Sequence, residues 1–337
     1  MPERPTSVRR GRFFRFGAAL ATLLALAAYL AVQYLTGGTG APRCTVVSGK
    51  GDGASYEVTA EQAANAATIS AVGANRGMPE RAVTIALATA LQESGLRNIR
   101  HGDRDSLGLF QQRPSQGWGT EKQIMDPAYA AGEFYKHLAK VPGYSRLPLT
   151  VAAQRVQRSG FPQAYAKHEP DATLLAAALT GRAAATFTCE GRPGVQPGGP
   201  DAVRAALVRD FGQSVFQQAG AERYAGTERG AGPDDGAGSE GSTTPSAAPT
   251  PSTAGSGAGN PRTVTIPVSG GATAAGGERQ RGWALAHWAV ANSSTLHIRQ
   301  VAYAGRVWTA GNTRSEWRED GSPSRNTTSA VRIVAGL

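Results

Sequence analysis

Residues 17–35, close to the start of the chain, contain no charged side chain. As a helix they would extend roughly 28 Å at about 1.5 Å per residue, close to the thickness of a bilayer's hydrocarbon core. Residues 1–16 before them carry five arginines and one acid, and such basic flanks stay in the cytoplasm. The sequence therefore predicts a cytoplasmic basic tail over 1–16 and a transmembrane anchor over 17–35. Everything that follows is expected outside the plasma membrane.

A cleavable signal peptide is the alternative, because small residues follow position 35. Its apolar stretch usually spans about 7–15 residues, so the longer stretch here favours an uncleaved, single-pass anchor. The sequence has only one candidate transmembrane span, which gives little support to a transport role.

The chain has 35 basic and 25 acidic side chains, and 30 against 24 outside residues 1–16. A basic surface favours an anionic partner such as nucleic acid, a membrane or an acidic wall polymer. Neither zinc-finger spacing nor a basic region followed by heptads is present, so we expect no nucleic-acid partner.

The two cysteines, Cys44 and Cys189, both follow the predicted anchor. Outside the cell a disulfide between them is favoured over two free thiols. Closing a loop of this length would constrain the unfolded chain by about 5 kcal/mol in the chain-entropy model.

Residues 225–262 are rich in Gly, Ser, Thr, Pro and Ala. Such a segment buries too little apolar surface to fold, which predicts a disordered linker. It separates a mainly α domain over 44–218 from a small α+β module over 263–337.

Hydrophobic periodicity predicts the elements of both regions. The predicted helices are 61–75, a helix from Pro79 to Glu93, 126–140, 149–157, 171–179, 201–218 and 282–296. Strands are predicted over 263–268 and 331–335, with a hairpin over 298–310 around Ala304-Gly305. Thr59 and Gln62 have the spacing of a capping box. The helix that ends at Glu93 is apolar nearly all round, which indicates a buried central helix.

Glu93 is the candidate catalytic residue. A carboxyl group at the end of an apolar helix is partly desolvated, and desolvation raises its pKa toward the range that suits a general acid. A glutamate at a helix end is more often solvated or salt-bridged, so its position alone does not identify a catalytic acid.

Glu93-Ser94-Gly95 is followed, fifteen residues after the glutamate, by Gly108-Leu109-Phe110-Gln111. This pair of motifs resembles the signature of soluble lytic transglycosylases. Residues 58–180 as a whole are similar to lysozyme-like domains of actinobacterial wall proteins and phage lysins, and goose-type lysozymes are related to them. The resemblance implies a mainly α lysozyme-like fold with peptidoglycan as the substrate in a groove across the central helix.

On this resemblance Glu93 is the catalytic acid, and Ser94 orients either the acid or the sugar. The expected substrate-binding residues are Ser94, Gly108, Leu109, Phe110, Gln111, Gln112, Trp118 and Tyr165. Core packing is an equal alternative for Trp118. Many transglycosylases also carry an Ala-Tyr-Asn stretch whose tyrosine touches the glutamate, and it is absent here. Gln154, Gln157 or Tyr165 is expected to replace it.

A hydrolase needs a second carboxylate, and Asp105, in a Gly-rich loop, is the candidate. Aspartates in such loops more often bond their own turns. A lytic transglycosylase needs one glutamate alone. We therefore expect Glu93 to act as general acid and base on the bond between N-acetylmuramic acid and N-acetylglucosamine, as a transglycosylase rather than a hydrolase. The alternative is a non-catalytic wall-binding or scaffold protein with a degenerate lysozyme-like fold. The histidines are scattered, and we expect neither a metal nor a cofactor.

Residues 283–317 resemble the end of a module related to D-alanyl-D-alanine carboxypeptidases. The zinc-binding His and Asp of the active enzymes have no match in 263–281, so we expect a non-catalytic, wall-associated module. Its aromatic residues are expected either in the core or in a remnant binding site: Trp283, Trp288, Tyr303, Trp308 and Trp317.

Overall fold

The N-terminal part of the fold contains helices and one small sheet, and a second sheet lies in the C-terminal part. The computed structural model describes residues 43–158, 162–190, 199–217, 262–268, 277–311, 316–321 and 329–336. The predicted tail, the predicted anchor and all but the last residue of the predicted linker lie outside these residues. Among the residues described, no helix combines the length and the apolar character needed to cross a membrane.

The N-terminal part contains eight described helices, two 3-10 helices and three strands. They are β1 (Arg43–Val47), β2 (Ser55–Thr59), α1 (Ala60–Asn75), α2 (Glu80–Ser94), a 3-10 helix (Pro114–Gln116), α3 (Glu121–Ile124), α4 (Pro127–Leu138), α5 (Leu149–Gln157), a second 3-10 helix (Pro162–His168), α6 (Glu169–Leu179), β3 (Phe187–Cys189), α7 (Pro200–Phe211) and α8 (Ser214–Gln217). The prediction of a mainly helical region is confirmed. The prediction missed the antiparallel sheet β2-β1-β3, whose strands are five residues long or shorter.

Local sequence signals set the ends of the two longest helices of this part. The Thr59 hydroxyl accepts a hydrogen bond from the Gln62 amide, and the Gln62 side chain accepts one from the Thr59 amide, so the predicted capping box is present. Helix α2 ends at Gly95, whose φ of 62° lies in the left-handed region that favours glycine. Helix α2 is buried over most of its length and packs against α1, α4, α5 and α6. It is therefore the central helix, with Glu93 in its last turn.

The predicted disulfide joins Cys44 and Cys189. The two residues are directly opposite each other in the β1–β3 pair, with their Cα atoms 3.9 Å apart. The bond closes a sequence separation of 145 residues and connects the first strand to the strand that follows α6.

The C-terminal part is a small α+β region. Its elements are β4 (Thr263–Pro267), α9 (Gly277–Ala291), α10 (Ser293–Leu296), β5 (Ile298–Tyr303), β6 (Arg306–Thr309), β7 (Arg318–Glu319) and β8 (Ala330–Ala335), with the antiparallel order β4-β8-β5-β6-β7. Strands β5 and β6 form the predicted hairpin. Its turn residues Ala304 and Gly305 have φ values of 48° and 74°, as a two-residue turn of the favoured hairpin type requires.

Helix α9 packs both on its own sheet and on the N-terminal part, against α1, α6 and β3. The Trp288 indole donates to the buried Asp210 carboxylate (2.8 Å), and the Trp308 indole donates to the Cys189 carbonyl (3.2 Å). A Cβ on Gly181 would overlap the backbone of α9 at Gln280. The described residues belong to one compact unit, Pro42–Leu337, with a continuous hydrophobic core.

The five C-terminal aromatic residues named above are all buried in this core. The expectation of core packing is thus met, and in this structure they offer no exposed binding surface.

Candidate active site

Glu93 projects from the last turn of α2 and is half-buried. The Tyr165 hydroxyl donates a hydrogen bond of 2.6 Å to Glu93 Oε1. Tyr165 is fully buried and comes from the 3-10 helix Pro162–His168, which packs on α2. Of the three candidates for this contact, Tyr165 makes it at hydrogen-bond distance, in an Ala-Tyr-Ala context, and Gln157 also interacts with the carboxyl group.

Burial raises the pKa of Glu93 above its ordinary value, and hydrogen bonds from Tyr165 and Gln157 lower it in part. The net effect is a raised pKa. At a given pH more of this carboxyl group is protonated than of an exposed glutamate, as proton donation to a leaving oxygen requires. The two donors also stabilise the carboxylate that remains after the proton has left.

Ser94 joins the end of α2 to the loop that follows. Its hydroxyl lies 2.8 Å from the Leu109 carbonyl oxygen and 3.1 Å from that of Ala90, and its side chain is buried. The expected role of orienting Glu93 or a sugar remains a prediction, since these two hydrogen bonds go to backbone carbonyls. Through Leu109, Ser94 holds the 108–111 segment against the helix that carries the acid.

Leu109 and Phe110 have fully buried side chains, so their expected contact with substrate is restricted to the backbone. Phe110 stacks on Phe134 with ring centroids 4.7 Å apart. Its carbonyl oxygen accepts a 2.7 Å hydrogen bond from Gln157 Nε2. Gly108 has a φ of 74°, and a Cβ there would meet the Ile124 carbonyl oxygen at 2.8 Å. The motif is therefore a packed support for the acid.

Gln111 and Gln112 behave differently from each other. Gln111 is half-buried, and its amide lies 3.3 Å from the Gly108 carbonyl oxygen. Gln112 is buried, donates to the Ala130 carbonyl (3.0 Å), and has an Oε1 atom without a hydrogen-bond partner in the described residues. Both residues line the same groove, but the Oε1 atom of Gln112 is itself buried, so Gln112 contributes to the packing of the groove floor.

The groove has a volume of about 480 Å³ and extends from the side chain of Gln157. Trp118 lies in its wall, half-buried, with its ring edge-on to His137 at 4.2 Å. Trp118 therefore belongs to the groove as well as to the packing beneath it. Glu93 is not itself one of the groove-lining residues. Gln157 is one of them, and its side chain interacts with the Glu93 carboxyl group, so Gln157 links the acid to the groove.

Asp105 is held within its own loop. Its carboxylate accepts from Arg113 Nε (2.7 Å) and from the Ser115 amide (2.8 Å). These donors hold its pKa well below the ordinary value. Asp105 therefore stabilises its own loop through hydrogen bonds, as aspartates in loops commonly do. The acid–base role remains a prediction and would require Asp105 to give up these bonds.

Three cationic side chains that were not predicted as site residues line the groove: Lys140, Arg155 and Arg158. For the two arginines, the Gln-Arg-Val-Gln-Arg run at the end of α5 is the signal in the sequence.

No metal site is evident in the described part of the chain. Among the described residues, no group of three or more His, Cys, Asp or Glu side chains is placed to hold an ion.

Comparison with known proteins bears on the C-terminal part. Residues 258–330 match the family model of the VldE C-terminal domain. This stretch begins before β4 and ends at the first residue of β8, and it covers well under half of the chain. No curated protein matches the chain. The resemblances to lysozyme-like domains and to carboxypeptidase-related modules therefore remain predictions.

Proposed function

We propose that this protein is a membrane-tethered lytic transglycosylase that cleaves the glycan strands of peptidoglycan. The observation that carries the proposal is the half-buried Glu93, which has a raised pKa, accepts a hydrogen bond from buried Tyr165 and interacts with Gln157, a residue that lines an open groove. In lytic transglycosylases a tyrosine in an Ala-Tyr-Asn stretch makes the same contact. Tyr165 supplies that contact here although asparagine is replaced by Ala166.

The chemistry needs one carboxyl group used twice. Protonated Glu93 gives its proton to the glycosidic oxygen as the bond from that oxygen to the anomeric carbon breaks. The resulting carboxylate then takes the proton of the muramoyl 6-hydroxyl, whose oxygen bonds to the anomeric carbon and closes a 1,6-anhydro ring. Glu93 ends the cycle protonated. The hydrogen bonds from Tyr165 and Gln157 stabilise the ionised intermediate state.

The engagement of Asp105 favours this route over hydrolysis. A hydrolase needs a second carboxylate free to act as a nucleophile or as a base for water. Both carboxylate oxygens of Asp105 accept hydrogen bonds, from Arg113 and Ser115.

The test is cleavage of purified peptidoglycan by a soluble form that begins at residue 43. Glu93→Gln should abolish clearing in a peptidoglycan gel, whereas Asp105→Asn should retain most of it. Glu133→Gln is the matched control, because Glu133 is also partly buried but pairs with Lys136 on the surface. Mass spectrometry of the products should show anhydro ends.

Undiminished clearing by Glu93→Gln would contradict the assignment of the acid. Reducing ends would identify a hydrolase. Binding to peptidoglycan without cleavage by the unaltered protein would favour the alternative, a non-catalytic wall-binding protein.

A further inference from the structure

The charged side chains that line the groove are all positively charged. Lys140, Arg155 and Arg158 are exposed along it, and none of the three forms an ion pair with a described residue. The fourth cation of the wall, Arg113, is compensated by Asp105. No acidic side chain lines the groove within the described ranges. Its potential is therefore positive, and it attracts anions.

These charges lie close in sequence to the catalytic machinery. Arg155 and Arg158 flank Gln157, whose amide contacts Phe110 and hydrogen-bonds the Glu93 carboxyl group. Lys140 follows the end of α4 and lines the same groove as Trp118. A molecule with its reacting bond at Glu93 would thus have its neighbouring groups among the cations.

Neutral sugar rings give these cations nothing to pair with. The peptide stems of peptidoglycan are acidic, and each is attached to a muramoyl residue, the sugar whose bond is to be cut. An extended peptide advances about 3.3–3.6 Å per residue, so carboxylates two or three residues along a stem reach about 10 Å from the sugar. Attachment to the bound sugar also gives them a high effective concentration in the groove.

On the basis of the proposed function, we propose that Lys140, Arg155 and Arg158 bind the carboxylates of the stem peptide. The protein then selects glycan strands that still carry their peptides over strands from which the peptides have been removed. Single exposed ion pairs are weak, so the selectivity comes from several charges together and decreases with rising salt.

Binding is measured on the Glu93→Gln protein, so that cleavage does not consume the ligand. The probes are a muramoyl disaccharide with its tetrapeptide and the same disaccharide without it, in calorimetric titrations at low and high salt. We expect the peptide to improve affinity about ten-fold, which corresponds to about 1.4 kcal/mol. Arg155→Gln/Arg158→Gln should bring the ratio of the two affinities close to one.

The matched control is Lys122→Gln/Arg299→Gln, which removes two exposed charges that do not line the groove and should leave the ratio unchanged. Equal affinities for the two probes, or a ratio unaffected by the Arg155/Arg158 change, would overturn the inference. So would Arg155/Arg158-dependent binding of a glycerol phosphate polymer that exceeds binding of the peptide probe, since wall phosphates would then be the ligand.

The two proposals fail in different ways. Peptide-dependent binding without any cleavage by the unaltered protein would reject the transglycosylase but keep the binding site. Equal cleavage of peptide-bearing and peptide-free strands, with equal binding of the probes, would reject only the selectivity.

Discussion

His287 provides a sharp test of how the C-terminal part packs on the rest of the protein. It lies on α9 and is fully buried, with Nδ1 2.7 Å from the carbonyl oxygen of Ala178 on α6. A carbonyl only accepts, so Nδ1 carries the hydrogen. Nε2 has no hydrogen-bond partner among the described residues. Because a second N–H would be buried without an acceptor, burial lowers the pKa of His287 to about 4.

The magnitude follows from proton linkage. The ordinary pKa of histidine is 6.5. Between this pH and pH 4, His287 is therefore protonated in the unfolded chain but neutral in the folded protein. The contribution to stability is fully present above pH 6.5 and is lost as the pH falls toward 4. The free energy of unfolding should decrease by about 2 kcal/mol between pH 7 and pH 5, and by about 3 kcal/mol at pH 4, from this residue alone.

The assay is denaturant unfolding of the protein from residue 43 onward at pH 7 and pH 5, beside His287→Asn. Asparagine keeps an amide donor for Ala178 but does not titrate. We expect the unaltered protein to lose about 2 kcal/mol more than the variant over this range. The pKa values of His137 and His168 are also lowered by burial, but their effects cancel in the comparison. Parallel pH dependences would refute the burial of His287 against α6.

Three further changes test the site and the core. Tyr165→Phe removes a hydrogen bond that lowers the pKa of Glu93, so the alkaline limb of the pH–rate profile should move to higher pH. Turnover should fall about ten-fold or more, since hydrogen bonds to charged groups contribute about 1.5–3 kcal/mol. A slower enzyme with an unmoved limb would show that the tyrosine only positions the acid. Asp210→Ala leaves two buried donors, Thr68 Oγ1 and Trp288 Nε1, without their acceptor. It should lower the free energy of unfolding by about 2–6 kcal/mol, since each such donor costs about 1–3 kcal/mol; urea titration measures this, and Asp210→Asn should be milder. Loss of the Cys44–Cys189 bond in a double alanine variant should destabilise the protein by about 5 kcal/mol, and an unchanged thermal midpoint would argue against the bond.

Much of the candidate site could be predicted because its signals are local. The apolar helix that ends near Glu93 and the Gly108–Gln111 motif after it are both visible in the sequence. The sequence does not show which of Gln154, Gln157 and Tyr165 contact Glu93, because these contacts depend on how α5 and the 3-10 helix after it pack on α2. The burial of Leu109 and Phe110 was missed for the same kind of reason, since Phe134, on which Phe110 stacks, belongs to a separate helix.

Three features depend only on neighbouring residues and therefore follow from the local sequence: the Thr59 cap, the left-handed end of α2 at Gly95, and the hairpin turn at Ala304. The cysteine pair was also evident, because only two cysteines exist. Tertiary structure alone decided the partners of α9. From Gly282 to Ala291 this helix is buried, and its apolar sequence shows that it packs against other elements but not against which ones. His287 and Trp288 on this helix hydrogen-bond Ala178 and Asp210, which lie 109 and 78 residues away in sequence. Buried donors need acceptors, and only proximity in space decides which acceptor each donor meets.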